Sequence, residues 1–183
     1  DSLSTKSDRR YKKQIIFAGR LSSEKGVDVL SDLAKILPSD INLIILGSGP
    51  KENLIKNIKK SNVSYFGYLP KNETISLIRG SDILIQPSKI EGVSSTILEA
   101  MACKVPVITT NVGGNKEIIE HNKTGILIEP NNSKKLLDEI LNLFINSKIK
   151  NELINSAYID VQKYDWKYVG KLYLDLYDEL LKS

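Results

Sequence analysis

Histidine and cysteine are almost missing from this chain: among 183 residues there is one of each, His121 and Cys103. A lone cysteine excludes an internal disulfide and fits a reducing, cytoplasmic setting. Without a Cys/His cluster there is no ligand set for zinc, and no metal is expected. His121 reads as a surface residue near a helix end, so neither a Ser-His-Asp triad nor a Cys103 nucleophile has an evident base. Long apolar runs are also lacking, and none approaches the roughly 20 residues that span a bilayer. The opening "DSLSTKSDRRYKK" is charged with no apolar segment behind it, which is not a secretion signal. It also starts without Met, as a fragment of a longer chain or a processed one would. The charge excess is mild, +4. Its lysines are spread along segments such as "KENLIKNIKK", which suits a solvated face better than a nucleic-acid track. Lys51 to Lys60 is the one stretch that leaves room for contact with an anionic membrane or a partner.

What the chain does have is 41% apolar residues, enough for one substantial core. Short apolar runs alternate with amphipathic segments from Gln14 to about Lys163. "QIIFAG", "INLIILG", "VSYFG", "DILIQPS", "VPVITT" and "TGILIEP" read as buried strands. Between them lie helices: Val27 to Leu37, "PKENLIKNIKK", "KNETISLIRG", a segment opening in "KIEGVSSTILEAMA", and "NKEIIEH". Strands apolar on both faces, each followed by a helix, give an α/β fold: a doubly wound open parallel sheet of about six strands. From Ser133 the tail is helical, and its last helix carries the stripe Trp166, Val169, Leu172, Tyr173, Leu176 and Leu180.

Such sheets bind ligands at the carboxyl ends of their strands. Five loops there hold every distinctive feature of the sequence. In "GRLSSEKG", Arg20 and Lys25 precede a helix N-terminus, where two cations add to the helix dipole and suit a diphosphate; the plainer alternative is a pair of surface cations. "GSGP" resembles half a dinucleotide fingerprint, but Glu52 stands where the third glycine belongs, so a nicotinamide site is not expected. In "PSKIEGVSST", the amides of Val93 to Thr96 lead into a helix and could hold phosphate oxygens. Thr96-Ile97-Leu98-Glu99 fits a capping box, so Glu99 has a structural explanation. Glu91 has no obvious partner in the sequence, and a loop acid there suits sugar hydroxyls or a developing positive charge. In "NVGGNKEII", Gly113-Gly114 gives another close backbone approach, and Glu117 is a helix-start acid.

These segments, taken together, resemble the donor-binding half of glycosyltransferase family 4, a group of retaining, nucleotide-sugar-dependent enzymes of the two-domain GT-B fold. The resemblance rests on "FAGRLSSEKGVDVL", "LIILGSGP", "VSYFGYLPKNE", "SDILIQPSKIEGVSSTILEAMACKVPVITTNVGGNKEII" and "TGILIEPNN", and runs from Gln14 to the C-terminus. It implies that residues 13–183 form a Rossmann-like nucleotide-sugar donor domain, with 1–12 a linker or tail. It also implies that an acceptor-binding N-terminal domain lies outside this chain, leaving the domain inactive alone.

By the same resemblance, Arg20 and Lys25 grip the donor diphosphate and stabilise the leaving nucleotide, and Glu91 faces the transferred sugar. Glu99 bonds the ribose, and the backbone of Tyr68 and Leu69 holds the base. Gly19, Gly47, Gly92, Val93, Ser94, Ser95, Thr96 and Leu98 complete the donor site. The expected donor is a UDP- or GDP-sugar, with a hexose passed to a glycan or lipid-linked acceptor and no cofactor or metal. A cytoplasmic enzyme, in peripheral contact with the membrane in its longer form, follows from the same likeness. The chain departs from the family pattern at Ser94 and Lys104, where glycine is common. A non-catalytic α/β interaction module and a fragment of a nucleotide-sugar epimerase are the alternatives.

Overall fold

The computed structural model describes residues 12–182, with nothing stated of the Lys182 side chain. The expected linker at 1–12 therefore lies outside the described residues, apart from Lys12. Six parallel strands form one sheet: β1 (Lys13–Ala18), β2 (Ile41–Leu46), β3 (Val63–Gly67), β4 (Ile83–Gln86), β5 (Val107–Thr110) and β6 (Ile126–Ile128). Their spatial order is β3-β2-β1-β4-β5-β6. All six residues of β2 are buried, which is why its run of apolar residues shows no alternation.

Helices cover both faces. One layer holds α1 (Val27–Ile36), α2 (Glu52–Lys56) and α6 (Ser133–Ile145), whose Leu30, Leu33, Leu136 and Ile140 pack with Ile15, Phe17 and Ile45. The other holds α3 (Lys71–Gly80), α4 (Ser95–Ala102), α5 (Asn115–Ile118) and α7 (Ser147–Asp160). There Ile78, Ile97, Met101 and Ala157 pack on Ile16, Ile44 and Leu84. A 3-10 turn at Val161–Tyr164 leads to α8 (Trp166–Lys182). The fold class read from the sequence is the one observed.

Several boundaries differ for identifiable reasons. α2 runs for five residues instead of eleven, because Ile55 is its only buried side chain and little packing sustains more turns. β5 starts at Val107 rather than Val105, since Pro106 has no N–H for the ladder and Val105 closes the preceding helix. That closure is a Schellman turn: Val105 N–H donates to Ala100 O at 2.9 Å and Lys104 N–H to Met101 O at 3.1 Å. Lys104 takes the left-handed φ of 59° that such a turn demands, a conformation that glycine adopts without steric cost. α5 stops at Ile118 because Ile119 turns extended and buries its side chain.

The Thr96–Glu99 capping box is not formed. α4 begins at Ser95 with Ser94 as its N-cap, and no side chain caps it. Thr96 thus lies inside the first turn, and Glu99 is two residues too far along the helix to reach back. The stripe on α8 exists, yet Trp166, Leu172, Tyr173, Leu176 and Leu180 are exposed.

Candidate functional site

The strand order reverses between β1 and β4, so the chain leaves those two strands in opposite directions and opens a crevice at their carboxyl ends. The two flanking loops, 19–26 and 87–94, are tied across it. Glu24 O accepts from Lys89 N–H at 2.7 Å and from Ile90 N–H at 3.2 Å. That tie brings Lys25 to Glu91: the lysine Nζ lies 2.8 Å from Oε1 and 2.6 Å from Oε2. Ser88 Oγ donates to Oε2 from the other side, at 2.9 Å. The Glu91 side chain is only 9% exposed and that of Lys25 24%, so the pair is largely shielded from water. Glu91 therefore has two partners that its sequence spacing did not reveal. Lys25 comes from 66 residues away across the crevice, and Ser88 from three residues earlier in the same loop.

The backbone of Glu91 is fixed as well. A Cβ at Gly113 (φ 48°) would sit 1.8 Å from Glu91 O. Gly114 N–H donates to that same oxygen at 3.3 Å. These glycines make room for the protein's own backbone rather than for a ligand. Gly47 behaves in the same way: at φ 118°, a Cβ there would lie 1.9 Å from Gly19 O. The loops after β1 and β2 are thereby pressed together, and Leu21 N–H bonds Ser48 O at 2.9 Å.

Beside this contact opens a cleft of about 590 Å³. Ala18, Leu46 and Leu69 give it an apolar floor, and the backbone of Gly19, Gly47 and Gly49 forms a wall. Ser48, Thr74 and Thr96 add hydroxyls, with Arg20 and Tyr68 exposed at the mouth. Tyr65 holds the glycine wall: its hydroxyl donates to Gly47 O at 3.0 Å. Burial, reinforced by the Glu52 carboxylate, pushes the Tyr65 pKa up to about 12, so this donor keeps its proton at any ordinary pH. The Ser22 hydroxyl, with Glu24's own amide and to a lesser degree the Arg20 guanidinium, holds the Glu24 carboxyl below its usual range.

Of the expected site residues, Gly19, Arg20, Gly47, Tyr68, Leu69 and Thr96 line this cleft. Lys25 and Glu91 meet at the crevice, with Gly92 and Val93 exposed beside them. Ser94 is buried at the N-cap of α4 and Ser95 is exposed. Leu98 and Glu99 instead line a second, smaller cleft of about 250 Å³ together with Val161, Tyr164 and Asp165. Glu99 pairs with Lys71 at 3.2 Å. Lys71 lies between the cleft-lining Leu69 and Thr74, which puts Glu99 on the rim between the two clefts. Sequence reasoning missed Ser48, Gly49 and Thr74 in the wall, and Ser88 against Glu91. Ser48 and Gly49 were within reach in "GSGP", as was Ser88 in "PSKIEGVSST"; Thr74 gave no signal without the fold.

Comparison with known proteins shows the family and the fold. Residues 4–160 match the family model described as glycosyl transferases group 1. A glycosyltransferase of Methanocaldococcus jannaschii is 34% identical over 89% of this chain and 48% of its own length. The chain spans about half the length of the curated relatives it matches. Among solved structures, the C-terminal domain of a group 1 glycosyl transferase of Francisella tularensis aligns with a TM-score of 0.76 and 29% identity. That alignment covers 85% of this chain and 88% of the other. The Anabaena protein HepE, solved in complex with UDP-glucose, aligns at a TM-score of 0.80 over 91% of this chain and 48% of its own. Its 22% identity makes that a likeness of fold. With the family model covering most of its length, the chain belongs to the group 1 glycosyl transferases.

Proposed function

We propose that this chain is the donor-binding half of a retaining glycosyltransferase, holding a UDP- or GDP-sugar whose hexose passes to a glycan or lipid-linked acceptor. The observation that carries the reading is the meeting of Lys25 and Glu91 across the crevice between β1 and β4, beside a cleft of ligand size. In the transfer, the bond between the anomeric carbon and the diphosphate oxygen breaks, and the nucleoside diphosphate takes the electron pair. The acceptor oxygen bonds to the same carbon and gives up its proton to the departing phosphate. Arg20 at the mouth and Lys25 beside it offset the charge growing on the diphosphate, aided by the amides that open α4. Glu91 accepts hydrogen bonds from the sugar hydroxyls. Glu99 reaches the ribose from the rim, and the backbone at Tyr68 and Leu69 meets the base.

On this reading diphosphate charge is met by side chains and amides, and EDTA leaves donor binding unchanged. A dependence on added Mg²⁺ would contradict that assignment. The rest of the enzyme supplies the acceptor site, so the chain binds donor without turning it over. Use of the basic segment 51–60 as a docking face is less favoured, because Lys56 pairs with Glu52 at 2.6 Å and Lys60 caps Leu37 O at 2.8 Å. A thermal-shift panel of UDP- and GDP-sugars tests the proposal. One of them is expected to raise the melting temperature, with Arg20→Ala and Lys25→Ala reducing the rise. A folded chain indifferent to the whole panel would refute it.

A further inference from the structure

Lys25 and Glu91 cannot both serve a donor while each is the other's partner. A diphosphate presents two negative charges to Lys25, whose ammonium sits on a flexible four-carbon stem and is free to turn toward them. Once it turns, Glu91, whose side chain is 9% exposed with Lys25 against it, loses its charged partner while staying in the crevice beside Ser88. A carboxylate so placed needs another donor to stay ordered.

Ser88 is that donor. It is fully buried, and its hydroxyl lies 2.9 Å from Glu91 Oε2. Its own backbone is pinned: Thr110 Oγ1 donates to Ser88 O, and the neighbouring Pro87 O packs so closely on Gly26 that a Cβ there would be 2.0 Å away. Glu91 O is clasped in turn by Gly113 and Gly114. Neither end of the Ser88–Glu91 bond depends on Lys25.

We propose that Ser88 is a positioning residue, which keeps the Glu91 carboxylate aimed at the donor sugar after the diphosphate has drawn Lys25 away. This rests on the donor-site reading above. Its consequence is selective: Ser88 matters for the sugar and not for the nucleotide.

The test is isothermal titration of the 183-residue chain with UDP, UDP-glucose, GDP and GDP-mannose. For the base that binds, Ser88→Ala is expected to leave the free diphosphate within about twofold while weakening the sugar nucleotide roughly 5- to 10-fold, the net scale of one hydrogen bond. Equal losses for both ligands, or no loss for either, would overturn the role of Ser88. Failure of the unsubstituted chain to bind any of the four would instead overturn the donor-site reading. Ser88→Cys, which nearly keeps the volume and weakens the donor, gives the same selective loss in smaller measure if Ser88→Ala does not fold. Its absence there counts against the proposal too.

Discussion

Lys25 and Glu91 stand 66 residues apart in the chain and 2.6 Å apart in the fold. Nothing in the local sequence joins them; the reversal of strand order does. Because the pair is mostly shielded, it stabilises the loops more than an exposed ion pair and less than a core one. A double-mutant cycle of Lys25→Met and Glu91→Gln is expected to give a coupling of about 1–2 kcal/mol in denaturant unfolding. A coupling near zero would mean that the two loops are held by their backbone bonds alone. Tyr65 offers a second residue-level test. Its phenol pKa is raised to about 12, so the folded chain holds this proton more tightly than the unfolded one. The stability it contributes is complete below the ordinary phenol value near 10 and falls away as pH rises from there to about 12. Tyr65→Phe should flatten that part of the stability curve, measured by urea titration across the alkaline range. An unchanged slope would place the alkaline loss elsewhere.

At the scale of elements, the strands were plain in the sequence and the ends of the helices were not. Runs such as "INLIIL" admit no other reading once helices flank them, since burial on both faces removes the apolar–polar alternation, with Asn42 buried among apolar neighbours. The capping box at Thr96–Glu99 misled because T-x-x-E is a pattern of residue types, whereas the cap depends on which residue first leaves helical geometry. Ser94 does so, at ψ 109°. The glycines of "GSGP" and "NVGG" were legible as close approaches, but not what approaches them: at both it is neighbouring backbone. Gly113→Ala is therefore expected to destabilise the chain by at least about 1–3 kcal/mol in thermal or chemical unfolding and to displace Glu91. Wild-type stability in that variant would show the contact to be soft. At the end of α4, Lys104 carries left-handed strain of about 1–3 kcal/mol, and its Nζ lies 4.4 Å from the Tyr158 ring centre. An exposed cation–π contact offsets only about 0.5–1 kcal/mol of this. Lys104→Gly should accordingly raise the melting temperature, and a fall would show that the ring contact dominates.

For the whole molecule, the sequence led to the sheet and its parallel sense, because alternation along the chain dictates them, and its loop motifs carried the family resemblance. It did not reveal that the site divides into two clefts, with Glu99 on the rim between them, since that depends on how α4 and the turn at 161–164 pack. Nor did the stripe on α8 say what it meets. Leu172 and Leu176 are 51% and 48% exposed, and changing them to Ser should shift this chain's stability by less than about 0.5 kcal/mol. A larger loss, by thermal melting, would mean that α8 packs on the chain itself. The central claim is that the cleft beside Lys25 and Glu91 holds a nucleotide sugar. Amide chemical shifts of the ¹⁵N-labelled chain, titrated with UDP-glucose and GDP-mannose, test it most directly. The account predicts saturable shifts confined to residues 19–26, 47–49, 68–69 and 88–97 for one of the two. Shifts centred on 51–60, or none with either ligand, would contradict it.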